Sequence, residues 1–124
     1  MSYELTFKER PSFLHAVVTG SNSKENVRNY LEDIMHECLA RGCSRVLIEE
    51  KLDGPRLPSN EVIEIVSTDS GRALGLFNAI AYVDVNAESS LMTFAGSVAR
   101  KRGLPIEVFP NVEEAEKWLE AIDT

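Results

Sequence analysis

The chain has 124 residues, of which 44% are hydrophobic and 27% charged. That is the size and balance of one globular domain that needs no metal or disulfide to fold. Its net charge of -7, from 13 basic and 20 acidic residues, argues against sequence-independent binding to nucleic acid and against charge-driven docking on anionic lipid, since both need a cationic surface.

Tyr3, Leu5 and Phe7 alternate with Glu4, Thr6 and Lys8, so the chain opens on a strand with one buried face. Arg10-Pro11-Ser12 breaks it, and a second strand runs from Phe13 to Thr19, apolar on both faces except at His15. The short break predicts an antiparallel hairpin. Asn22 or Ser23 then caps a helix whose Val27, Tyr30, Leu31, Ile34, Met35, Cys38 and Leu39 fall on one stripe, with Gly42 as its stop. Arg45 to Glu50 is a third strand, and its Val46-Leu47-Ile48 run suits a parallel strand covered on both faces.

Residues 51–58, with Gly54, Pro55 and Pro58, form a loop, and Ser59 stands where the N-cap of a second helix belongs, ahead of Val62, Ile63 and Val66. Leu76 to Val85 holds a fourth strand, built on Ala79-Ile80-Ala81-Tyr82-Val83. Asn86 caps a third helix carrying Leu91, Phe94, Ala95 and Val98, which ends at Arg100-Lys101-Arg102-Gly103. Ile106 to Phe109 is a short fifth strand. Asn111 with Glu114 makes a capping box for the last helix, which turns Val112, Ala115, Trp118, Leu119 and Ile122 inward. The predicted architecture is α/β: a mixed, mostly parallel five-stranded sheet with four helices, in the order β-β-α-β-α-β-α-β-α, over a single domain spanning residues 1–124.

No residue set in this order makes a catalytic constellation, which reads as a protein that is not an enzyme. Glu49-Glu50 ends the third strand, where ligands of open α/β sheets bind, but adjacent strand residues face opposite ways and cannot converge on one atom. His15 has no nucleophile placed beside it by the sequence and reads as a half-buried strand residue, while His36 faces solvent. Asp69-Ser70-Gly71 lacks the frame of a nucleophile elbow. Arg100-Lys101-Arg102 is accounted for by the negative end of a helix dipole. Cys38 and Cys43 form no CxxC pair and, with His15 and His36, no metal set; both read as reduced thiols of a cytoplasmic protein. The sequence implies no metal and no cofactor. No segment approaches the roughly 18 apolar residues of a membrane span, and residues 1–10 contain no apolar core of a secretory signal.

The opening hairpin, the Val46-Leu47-Ile48-Glu49-Glu50 strand, the loop to Ser59, and the ending Arg102-Gly103-Leu104-Pro105-Ile106-Glu107-Val108-Phe109 followed by Glu113-Glu114-Ala115-Glu116-Lys117-Trp118-Leu119 together resemble the STAS domains. They resemble more closely the SpoIIAA-like proteins related to them. The resemblance covers nearly the whole chain and implies a regulatory module. Anti-sigma-factor antagonists of this type carry a phosphorylatable serine in an Asp-Ser-Ser-Gly-like stretch at the start of the second helix. The matching position here is Pro58-Ser59-Asn60, which keeps the serine and lacks the aspartate and glycine.

The reading that follows is a non-catalytic regulatory or protein-binding module. Ser59 is its candidate partner or phosphorylation site, and Glu50, Asp53 and Asn60 are its candidate ligand-side residues. The alternative is a small-ligand or lipid-binding domain with a pocket beside the second helix, because the resemblance extends to lipid-binding Sec14-like domains. That reading admits a small apolar ligand near Leu74-Gly75-Leu76-Phe77. A homodimer is compatible with either.

Overall fold

The computed structural model describes residues 3–21, 23–53, 77–83 and 105–121, with the single positions Glu64, Ser97, Arg100, Lys101 and Gly103. Five strands, β1 (Tyr3–Glu9), β2 (Leu14–Ser21), β3 (Arg45–Asp53), β4 (Ala79–Val83) and β5 (Ile106–Phe109), lie side by side in chain order in one sheet. β1 and β2 are an antiparallel hairpin, and the other three pairings are parallel. Two helices are defined, α1 (Lys24–Arg41) between β2 and β3, and α2 (Val112–Ala121) after β5.

This corrects the expected count of four helices: among the described residues there are two. The second and third expected helices fall on residues 59–66 and 86–102, which lie outside the described residues apart from Glu64, Ser97, Arg100 and Lys101.

The α1 boundaries follow from local chemistry. Ser23 has extended backbone and accepts the Asn26 N–H at 3.1 Å, an N-cap bond. Gly42, at φ 68°, ends the helix in the left-handed conformation, with its own N–H on the Leu39 carbonyl and the Cys43 N–H on the Cys38 carbonyl. That is the Schellman pattern, and a Cβ at Gly42 would be strained by the backbone angle. α2 starts on Asn111, whose Oδ1 accepts the Glu114 N–H at 2.9 Å while its Nδ2 donates to Glu114 Oε2 at 3.1 Å.

The period-two pleat sorts the core onto two faces. Leu14, Ala16 and Val18 of β2, Val46 and Ile48 of β3 and Ile80 of β4 meet Val27, Tyr30, Ile34 and Cys38 of α1. Tyr3, Leu5 and Phe7 of β1 extend that cluster. On the opposite face Phe13, Leu47, Ala79, Ala81 and Val83 pack with Ala115 and Leu119 of α2, and Trp118 tilts against Phe109 with ring centroids 5.5 Å apart. Each fully buried side chain of this kind is worth about 1.5–3 kcal/mol against exposure.

Two further expectations change. Lys51-Leu52-Asp53, read as loop, continues β3, because β2 runs on to Ser21 and supplies partners for them: Thr19 for Lys51, Gly20 for Leu52 and Ser21 for Asp53. Leu39, placed on the α1 stripe, is 57% exposed, since it follows the buried Cys38 by one residue and is rotated by about 100° around the helix. Ile122, expected inward on α2, lies outside the described residues.

Candidate functional site

Glu50 lies in the carboxyl-terminal half of β3, one residue past the last β3–β4 pairing, Glu49 with Val83. Its parity matches Val46 and Ile48, so its side chain is on the α1 face. Two phenols meet it there. Tyr30, fully buried at the middle of α1, lies with its hydroxyl 3.3 Å from Glu50 Oε2 and 2.7 Å from the Tyr82 hydroxyl. Tyr82 of β4, opposite Ile48, donates its own hydroxyl to the same Glu50 oxygen.

Burial pushes the Tyr82 phenol well above its ordinary range, and Tyr30 and Glu50 beside it push the same way. Tyr82 therefore keeps its proton and serves as a donor. Tyr30 donates to the same Glu50 oxygen and lies within hydrogen-bond reach of the Tyr82 hydroxyl, so the three groups form one hydrogen-bonded relay. A phenol held protonated is no base. The cluster closes the end of the core chemically as well as sterically.

Glu49 points the other way. Its Oε1 lies 2.9 Å from His15 Nε2 and its Oε2 3.4 Å from Lys51 Nζ. His15 is 5% exposed, and its Nδ1 is buried and, among the described residues, without a hydrogen-bond partner. Register explains the meeting: His15 pairs with Leu47 and Val17 with Glu49, so both side chains share the α2 face on adjacent strands. α2 packs on β3, β4 and β5. The β1–β2 part of this face is lined by Glu4, Thr6, Lys8 and Thr19, all exposed.

Of the candidates read from sequence, Glu50 is placed beside Tyr30 and Tyr82, and Asp53 is the last residue of β3, paired with Ser21. The side chain of Asp53, all of Ser59 and Asn60, and the Asp69-Ser70-Gly71 stretch lie outside the described residues. So does the segment of the alternative pocket except Phe77, which is buried in the α1-side core. His36 is exposed, as expected.

The sequence reading missed Tyr30 and Tyr82 as polar partners. Both were counted for their rings, although a buried tyrosine hydroxyl asks for an acceptor, and Glu50 is the carboxylate of the right parity. It also missed Glu49 as the partner of His15, which needs the β2–β3 register.

Arg100 hydrogen-bonds the Ile106 carbonyl at 3.3 Å and Glu107 at 3.2 Å, tying the basic run to β5. Both cysteines are free, and burial pushes the Cys38 thiol up to about 12. An open cleft of about 370 Å³ lies at the other end of the sheet, between the β1–β2 turn (Arg10 to Phe13) and residues 42–45. Among the described residues, no three metal-ligating side chains gather and no helix is long and apolar enough to cross a membrane.

A mixed sheet in chain order, opened by an antiparallel hairpin and covered by α1 on one face and by a carboxyl-terminal helix on the other, makes this an α/β protein with a SpoIIAA-like fold. The crystal structure of an uncharacterised protein of the DUF3478 family with a SpoIIAA-like fold, from Shewanella loihica PV-4, is similar to it, with a TM-score of 0.58, 15% identity, and coverage of 94% of this chain and 93% of that one. At that identity the likeness is one of fold. No protein-family model and no curated protein matches the chain.

Proposed function

We propose that this protein is a non-catalytic regulatory module that binds a protein partner, with Asp53 and Ser59 as its candidate contact residues. The observation that carries the reading is the Tyr30–Tyr82–Glu50 relay. The acidic side chain at the position where an open α/β sheet presents its ligand-binding groups is turned into the core and used to hold α1 against β3 and β4. The SpoIIAA-like fold supports a regulatory role by analogy only.

The test is affinity capture with the wild-type chain and with Ser59→Asp as paired baits, read by quantitative mass spectrometry. A protein retained by the wild type and at least tenfold depleted on Ser59→Asp is the expected result. The same proteins on both baits, or none on either, would count against the reading. Native mass spectrometry of the purified protein distinguishes it from a small-ligand carrier, which would show a co-purifying mass.

A further inference from the structure

β1 is the terminal strand of the sheet, and among the described residues nothing pairs with its outer edge. Such an edge presents unpaired N–H and C=O groups to any strand that fits. Its sequence is Tyr3-Glu4-Leu5-Thr6-Phe7-Lys8-Glu9. Reversed and laid beside itself about Thr6, it sets Tyr3 opposite Glu9, Glu4 opposite Lys8, Leu5 opposite Phe7, and Thr6 opposite Thr6. Every pair joins residues of the same parity, so the two faces of the strand match across the junction.

Each face gains by this pairing. Glu4, Thr6 and Lys8 are exposed, and the two-fold places opposite charges together twice. Tyr3, Leu5 and Phe7 lie at the margin of the α1-side core, and the two Leu5–Phe7 pairs carry that apolar layer across the junction. Asp33 of α1 accepts the Tyr3 hydroxyl, and Arg41, held by Glu37 at 2.8 Å, stands over the Phe7 ring at 5.6 Å and reaches Glu9 at 3.4 Å. A parallel arrangement instead sets Glu4 on Glu4 and Lys8 on Lys8. A shift along the antiparallel register separates Glu4 from Lys8 and shortens the overlap.

We infer that two copies of this chain associate by antiparallel pairing of their β1 edges about Thr6, giving one sheet that runs through both. The charges on β1 act as a selector. They disfavour other registers and orientations and favour this one.

The experiment is sedimentation velocity on the wild type and on Glu4→Lys, Lys8→Glu and the double variant E4K/K8E, with circular dichroism to confirm folding. The wild type is expected to show a monomer–dimer equilibrium with its midpoint between about 10 µM and 1 mM, as suits a small interface. Each single variant turns both charge pairs into like-charge pairs and is expected to raise the dissociation constant about tenfold. An equimolar mixture of E4K and K8E rebuilds both pairs in the heterodimer and is expected to associate at least as tightly as the wild type. E4K/K8E rebuilds them within one chain and is expected to match it. A wild type that stays monomeric through that range, single variants that associate like the wild type, or a mixture no tighter than its components would overturn the inference.

Discussion

Glu49 and Glu50 are neighbours on β3 and live in different surroundings. Glu50 lies under α1, where the hydroxyls of Tyr30 and Tyr82 converge on one of its oxygens. Glu49 lies on the α2 face, 18% exposed, shared between the buried Nε2 of His15 and the exposed amine of Lys51. Under a helix the protein itself must satisfy a polar group, because water is excluded and an unmet hydrogen bond is costly. On the α2 face that rule is broken at one atom: His15 Nδ1 is buried and, among the described residues, without a partner.

This contrast can be broken at three points. The largest effect is expected from Tyr30→Ala, which empties the centre of the α1-side core and removes one phenol of the relay. The expected loss is about 3–5 kcal/mol by urea denaturation. A loss below about 1 kcal/mol would mean that the cluster does not anchor α1.

Tyr82→Phe comes next, at about 1–3 kcal/mol, because it withdraws a donor from a carboxylate in the core. The same variant has a pH signature. The folded protein holds the Tyr82 proton well above the ordinary phenol value of 10.0, and the Cys38 thiol from 9.0 up to about 12. Both groups ionise earlier in the unfolded chain, so their contributions are fully present below pH 9 and are lost as the pH rises through the folded values. The wild type should therefore lose stability from pH 9 upward. Tyr82→Phe should reduce the loss above pH 10 and leave the parts due to Cys38 and to Tyr3, whose phenol is likewise raised to about 12, as read from denaturation midpoints between pH 8 and 11.5. An unchanged alkaline slope in Tyr82→Phe would break the assignment.

On the α2 face the effects are smaller. Glu49→Ala takes the acceptor from His15 Nε2 and is expected to cost about 1 kcal/mol. His15→Leu removes the hydrogen bond and the orphaned Nδ1 together and is expected to fall within about 1 kcal/mol of the wild type. If His15→Leu proved the more damaging of the two by thermal melting, the pair would be a stabilising element rather than a tolerated one.

Much of the described fold is legible in the sequence because it rests on local signals. The alternation from Tyr3 to Lys8, the Arg10-Pro11-Ser12 break, Ser23 and Gly42 at the ends of α1, and Asn111 with Glu114 at the start of α2 each encode an element within a few residues. Opposite facing of Glu49 and Glu50 is also legible, since the pleat is periodic. Lys51 to Asp53 were not, because their strand character comes from Thr19 to Ser21, about 30 residues away and visible only through the register. The candidate site was half legible. Glu50 stood out by its place at a strand end, and its partners Tyr30 and Tyr82 were hidden among apolar residues whose rings alone explain their positions.

The sequence by itself determined the order of the described strands and helices, the two ends of α1 and the start of α2, and which strand residues share a face. Those properties depend on neighbours within a turn or a pleat. The tertiary structure decided which strands lie together, and with that the fate of each polar side chain. His15 found Glu49, and Glu50 found Tyr30 and Tyr82, because parallel pairing sets a register between segments that local propensity leaves free to slide.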